Sequence, residues 1–133
     1  AAGIKEAIDK CGPLPEVTPL AAELGKRVEQ LGKLTMELGA AAMKNRDEVG
    51  AAAADYLAVA GYVCLGWCWL ASAGVAAKKL AEGDSEADFY RAKLVTAKFY
   101  FDRLLPRIDA HAAAARAGSD GLMTLPAEHF AFA

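Results

Sequence analysis

Residues Asp55–Lys79 read DYLAVAGYVCLGWCWLASAGVAAKK, and the fold turns on how this stretch is enclosed. Between Tyr56 and Ala77 lie 22 residues without a charge, enough for a helix to cross a bilayer. At about 100° per residue, Tyr56, Val63, Trp67 and Leu70 share one face of that helix and Tyr62, Leu65 and Trp69 a second. A narrow third face carries Ala54, Ala58, Gly61, Cys64, Cys68 and Ala71. No side is left for water, so the helix is expected to be covered all round, by lipid or by other helices and a partner subunit. The tryptophans of a membrane span sit at its two ends, whereas Trp67 and Trp69 fall in the middle. Alanine and glycine add little to insertion, and a stripe of small residues suits close approach by a neighbouring helix. The reading is therefore a helix buried in protein, with a membrane span as the disfavoured alternative.

Outward from this stretch, 133 residues are one domain's length, sufficient to bury a core without disulfides or metals. The 55% hydrophobic content is rich in alanine, which favours helices and predicts an all-α fold. A net charge of −2 and a pI near 5.7 provide no global attraction to nucleic acid or an anionic membrane. Cys11, Cys64 and Cys68 are an odd count with two in the most apolar helix, so free, buried thiols and a reducing, cytoplasmic setting are expected. The first residues lack the pattern of a signal peptide.

Ile4–Lys10 fits two turns of helix, with Ile4, Ala7, Ile8 and Cys11 on one side, stopped by Gly12, Pro13 and Pro15. Residues 1–17 read as a lead-in, either the end of a preceding domain or residues left by cloning, and residues 18–133 as the helical domain with its tail. Thr18 before Pro19 predicts an N-cap, and Leu20, Leu24, Val28, Leu31, Leu34 and Leu38 carry an apolar stripe from Pro19 to Met43. Asp47 is the expected N-cap of the central helix, which continues to Ala81 with Lys78 and Lys79 suiting its C-terminal dipole. Gly83 and Asp84 turn the chain, and Asp84 or Ser85 caps a third helix running to Ala117. Tyr90, Leu94, Ala97, Phe101, Leu104 and Ile108 form its stripe, and Pro106 predicts a kink. After Gly118 comes a tail with apolar anchors Leu122, Met123, Leu125, Phe130 and Phe132. Short loops between three long helices predict an antiparallel up-down bundle, with the short N-terminal helix as a partial fourth member.

Chemistry is scarce along this chain. Di-iron bundles need Glu-x-x-His pairs, and none occurs. Cys64 and Cys68 supply two soft ligands where zinc or an iron–sulfur cluster needs more. His111, near a helix C-terminus, reads as a dipole partner or a solvent-exposed group, and His129 falls in the tail. Gly61, Gly66 and Gly74 lie inside a helix with no strand before them, so they are no phosphate loop. The aromatics of the third helix repeat at helical spacing among mixed charges, as a core does, and nucleic acid is not an expected partner.

Two strings carry a resemblance. Asp55-Tyr56-Leu57 with Gly61 and Leu65-Gly66-Trp67-Cys68-Trp69-Leu70, then Phe89-Tyr90-Arg91-Ala92-Lys93-Leu94-Val95-Thr96-Ala97-Lys98-Phe99-Tyr100-Phe101 with Arg103-Leu104-Leu105-Pro106, resemble the C-terminal helical domain of one branch of the acyl-CoA dehydrogenase flavoproteins. The ending Ala117-Gly118-Ser119-Asp120-Gly121-Leu122-Met123 is similar to that domain's closing segment. The resemblance implies a parent enzyme in which a carboxylate base takes the α-proton of an acyl-CoA thioester, FAD takes hydride from the β-carbon, and an electron-transfer flavoprotein receives the electrons. It also implies that the catalytic and FAD-binding parts lie in an N-terminal body, so that no catalytic, cofactor or metal residue falls in this chain, which alone would be inactive. The expected partners are the catalytic body and a second copy, with Tyr62, Trp67, Trp69 and Tyr100 as packing or interface anchors. An independent helical module that binds a partner helix or lipid is the alternative.

Overall fold

The computed structural model describes residues 2–11 and 14–130. Among them every regular element is helical and no strand occurs: α1 (Ala2–Cys11), α2 (Thr18–Lys44), α3 (Asp47–Ala81), α4 (Ala87–Phe99), α5 (Ile108–Ala115) and α6 (Asp120–Met123). Gly12, Pro13 and Phe132, expected as helix stops and as a tail anchor, lie outside the described residues.

The helix boundaries follow the sequence closely, but the starts of α2 and α3 are closed by other groups than expected. Thr18 is already helical and its hydroxyl donates to the Leu14 carbonyl (2.9 Å), so it is not the cap of α2. Asp47 opens α3 without capping it. Its N–H instead donates to Oδ1 of Asn45 (3.1 Å), which satisfies one of the donors that a helix start leaves open. Asp84 does the same for the N–H of Glu86 at the entry to α4 (3.0 Å). Gly83 and Gly118 turn the chain with φ of 74° and 80°, a region that costs a side chain strain and glycine nothing.

The third expected helix is not one continuous α-helix. After Phe99 the backbone opens into a π-turn over Tyr100–Leu104, in which the Leu105 N–H donates five residues back to the Tyr100 carbonyl, and tightens into a 3-10 turn over Leu105–Arg107 before α5 begins. Pro106 has no N–H to offer the Asp102 carbonyl and its ring crowds that turn, so the helix changes pitch there. The aromatic and aliphatic side chains of the break, Tyr100, Phe101, Leu105 and Ile108, are all buried.

α3 is the hub, packing against α1, α2, α4, the turns and α5. Its buried side is lined by Ala52, Val59, Val63, Gly66, Leu70, Ala73 and Ala77. Gly66 is needed for close approach, because a Cβ there would stand 3.1 Å from Leu24 Cδ1 and 3.4 Å from Leu105 Cδ1. Gly74 is tighter still, since an added Cβ would come within 2.5 Å of Cys11 Sγ. The Cys11 thiol, whose pKa burial pushes up, is thus wedged between α1 and α3.

The enclosure predicted for α3 is not complete. Leu57, Cys64, Leu65, Cys68, Ala71, Ser72 and Val75 are exposed, so the small third face of the sequence reading is largely open, with Ala58 and Gly61 part-buried, and Cys64 and Cys68 are not buried thiols. The tail differs as well: Leu122, Met123, Leu125 and Phe130 are exposed rather than buried as anchors. In both places the sequence pattern marks apolar residues correctly, and among the described residues they stand open.

Candidate functional site

The bare stripe of α3 is the feature with functional content. Leu57 is 71%, Leu65 52% and Val75 60% exposed, on a helix without a charge between Tyr56 and Ala77. Scattered surface leucines are ordinary, whereas an uncharged and mostly apolar strip along one helix, broken only by Ser72 whose hydroxyl donates back to the Cys68 carbonyl (2.9 Å), is a candidate contact surface. Glycine and alanine between the larger residues keep it low, so a neighbouring backbone can approach closely; a Cβ added at Gly61 would meet nothing within 4 Å.

The four residues read as anchors divide among three environments. Tyr100 is buried, and its hydroxyl donates to the Tyr62 carbonyl on α3 (2.8 Å), which locks the π-turn to the hub. Burial pushes the Tyr100 phenol up to about 12. Tyr62 is half-buried, its ring 5.9 Å from that of His111. Trp69 is partly buried against the core, while Trp67 is 38% exposed with its indole edge against Gly3 of α1. The structure therefore brings Tyr62 and Tyr100 together and sends the two tryptophans to different neighbours. Sequence reasoning placed Leu65 on a face with Tyr62 and Trp69 but marked none of Leu57, Leu65 and Val75 as open, because nothing in periodicity distinguishes an uncovered face of a wholly apolar helix from a covered one.

Polar side chains close the seams. His111 Nδ1–H donates to Asp55 Oδ1 (2.8 Å), joining α5 to α3. The Ser119 N–H and hydroxyl both donate to Glu48 Oε1 (3.1 and 2.7 Å), and Asn45 Nδ2 donates to the same hydroxyl (3.1 Å). Asp109 accepts from Gln30 (2.9 Å) and Arg27 (2.6 Å); the Gln30 amide foremost, with Arg27, holds its carboxyl below the usual range although desolvation opposes them. The His111–Asp55 pair has no hydroxyl or thiol bonded to its free ring nitrogen among the described residues, so it is not arranged as a nucleophile-activating dyad. No group of three or more His, Cys, Asp or Glu side chains among the described residues can hold a metal.

A family model described as acetyl-CoA dehydrogenase C-terminal like matches residues 1–126. The chain belongs to that family. No curated protein matches the chain. An acetyl-CoA dehydrogenase C-terminal-like domain is consistent with FAD in a parent enzyme, so the side chains present bear on whether this domain itself fits that cofactor. They do not fit it. A flavin dinucleotide's pyrophosphate wants a cradle of free backbone N–H groups or cations. In this C-terminal-like domain Gly25, Gly32, Gly39 and Gly61 all lie inside helices, and Lys10 and Lys78, which line the groove between α1 and α3, pair with Glu6 and Glu82.

Proposed function

We propose that this is the C-terminal accessory domain of an FAD-dependent acyl-CoA dehydrogenase that forms α,β-unsaturated thioesters, and that it acts by packing against the catalytic body or a second subunit. The observation that carries the proposal is the uncharged stripe of α3 through Leu65, Cys68 and Val75, which stands open among the described residues. The arrangement behind it is an up-down bundle of α2, α3 and the α4–α5 rod, with α1 as a partial fourth member. Its support is the opposed order of partners: Leu24 meets Gly66 and Thr35 meets Tyr56, while Tyr100 meets Tyr62 and His111 meets Asp55.

In this reading Tyr62, Trp69 and Tyr100 hold the bundle and Trp67, half open, serves the interface as well. A reducing, cytoplasmic setting accords with two exposed thiols on the docking stripe. A membrane role is the second reading, since α3 is long and apolar enough to cross a bilayer by length and composition.

The test is Leu65→Asp, made both in the full-length enzyme and in this chain alone. A charge on an exposed position leaves the lone chain folded, with melting changed by less than about 0.5 kcal/mol. In the full-length enzyme the same charge faces an apolar partner, and limited proteolysis is expected to release the domain or gel filtration to show a smaller assembly. Identical behaviour of wild type and variant in the full-length enzyme sinks the docking role. Partition of the full-length protein into detergent or vesicles, reversed by Leu65→Asp, selects the membrane instead.

A further inference from the structure

We infer that the open apolar groove between α2 and the first half of α3 is the seat of the polypeptide immediately preceding Ala1 in the parent enzyme, which continues α1 backwards as a helix. The inference rests on the reading of this chain as the C-terminal part of a longer protein.

Its basis is the direction of α1. Gly3 stands against Trp67, and Cys11 stands against Gly74 and directs its thiol at the Leu70 carbonyl (3.8 Å), so α1 advances along α3 in the same sense as α3 itself. It contacts α2 as well, and Ile4 and Ile8 pack on the core, which places it in the furrow between the two long helices. Traced backwards from Ala2, the α1 axis moves from the level of Trp67 towards Leu57 and Val49. There the same furrow is unfilled: a groove of about 520 Å³ is walled by Leu38, Gly39 and Ala42 of α2 and by Ala53, Tyr56 and Leu57 of α3. From Trp67 back to Leu57 the rise is about 15 Å, so about ten helical residues reach the groove.

The walls specify a helix. No charged side chain lines the groove, and its two hydroxyls, Thr35 and Tyr56, bond each other (2.9 Å), so nothing polar in it awaits a ligand. A Cβ at Gly39 would meet nothing within 4 Å, leaving room for a backbone to lie close. The groove is continuous with the interface that α1 already makes, and a segment tethered to α1 arrives at high effective concentration, an advantage that a second copy lacks. The chain's own tail is poorly placed. It leaves from Ser119, tied to Glu48, and Glu48 lies seven residues before Asp55 on the flank of α3 that faces α5, away from the groove.

The experiment uses the full-length enzyme with Cys64 and Cys68 changed to Ser and a benzophenone-maleimide on Leu57→Cys or, on the opposite wall, Gly39→Cys. The expected photo-cross-link falls within the twenty or so residues before Ala1 of the same subunit, and unlabelled Leu57→Cys reacts with maleimide at least tenfold more slowly than Val95→Cys in the same background. Cross-links from both walls to a distant part of the catalytic body overturn the inference while sparing the docking reading. Cross-links to a second copy or to residues 120–130 overturn it too, as does labelling of Leu57→Cys as fast as Val95→Cys. If the upstream sequence is no flavoprotein body but a helix still fills the groove, the enzyme reading falls and this inference stands.

Discussion

Gly74 shows how a single hydrogen atom sets the distance between two helices. An alanine there would gain up to about 1 kcal/mol of helix propensity. It would also drive its Cβ to 2.5 Å from Cys11 Sγ, and overpacking of that kind costs roughly 1–3 kcal/mol. Gly74→Ala is expected to lower stability in urea unfolding, and Cys11→Ala in the same chain is expected to restore most of it. Additive losses in the double variant would show that the thiol is not the obstacle. Tyr100 makes a second residue-level prediction. Its phenol titrates near 12 in the folded protein against 10 in the unfolded chain, so the unfolded state loses its proton first. The stabilisation is complete below about pH 10 and is lost as pH rises through about 12. Tyr100→Phe is expected to cost about 1 kcal/mol at pH 7 through the lost bond to the Tyr62 carbonyl, and to flatten the decline above pH 10. An unchanged alkaline slope in the variant would assign that decline to other groups.

Among the elements, the break after α4 sets where α5 points. Changing from α to π and then 3-10 pitch rotates α5 so that His111 reaches Asp55 and the chain after it brings Ser119 to Glu48. Pro106 favours the break, while the buried side chains of Phe101, Leu105 and Ile108 hold it. Pro106→Ala is therefore expected to change stability by less than about 1 kcal/mol and to leave the Ser119 amide protected from hydrogen exchange. A lost protection at Ser119 would mean that proline alone sets the register. Glu48 is the stronger test of that seam. Ser119 is only 2% exposed and directs two donors at one carboxylate oxygen, so Glu48→Ala should cost roughly 1–3 kcal/mol by stranding them. A loss below about 0.5 kcal/mol would show that water replaces the carboxylate without penalty.

For the molecule as a whole, α3 is two-sided: Leu70 is fully buried and Cys68, two residues earlier, lies open. In the chain alone, Cys64 and Cys68 are expected to react with maleimide at least tenfold faster than Cys11, whose thiol burial both shields and pushes up in pKa. In the full-length enzyme the two exposed thiols should be slowed towards Cys11 if the stripe is covered. Equal rates in the two forms would leave the stripe bare and remove the reason for reading it as an interface.

The all-α class, the extents of α2 and α3, the turns at Gly83 and Gly118 and the irregularity at Pro106 were legible from the residues, because each rests on local physics: propensity, period, positive φ and a missing N–H. Asp84 was among the residues expected at the entry to α4 and does accept there, whereas at α3 the acceptor is Asn45, two residues before the expected Asp47, since several nearby residue types are able to do so. The family was legible as a resemblance carried by strings of aromatic and small residues, and the family model matches residues 1–126. The coverage of α3 was not. Its composition is apolar on every side, so periodicity is silent on which side this chain covers. That was settled only when α1, α2 and the α4–α5 rod took their places around Val59, Val63 and Leu70 and left Leu57, Leu65 and Val75 exposed.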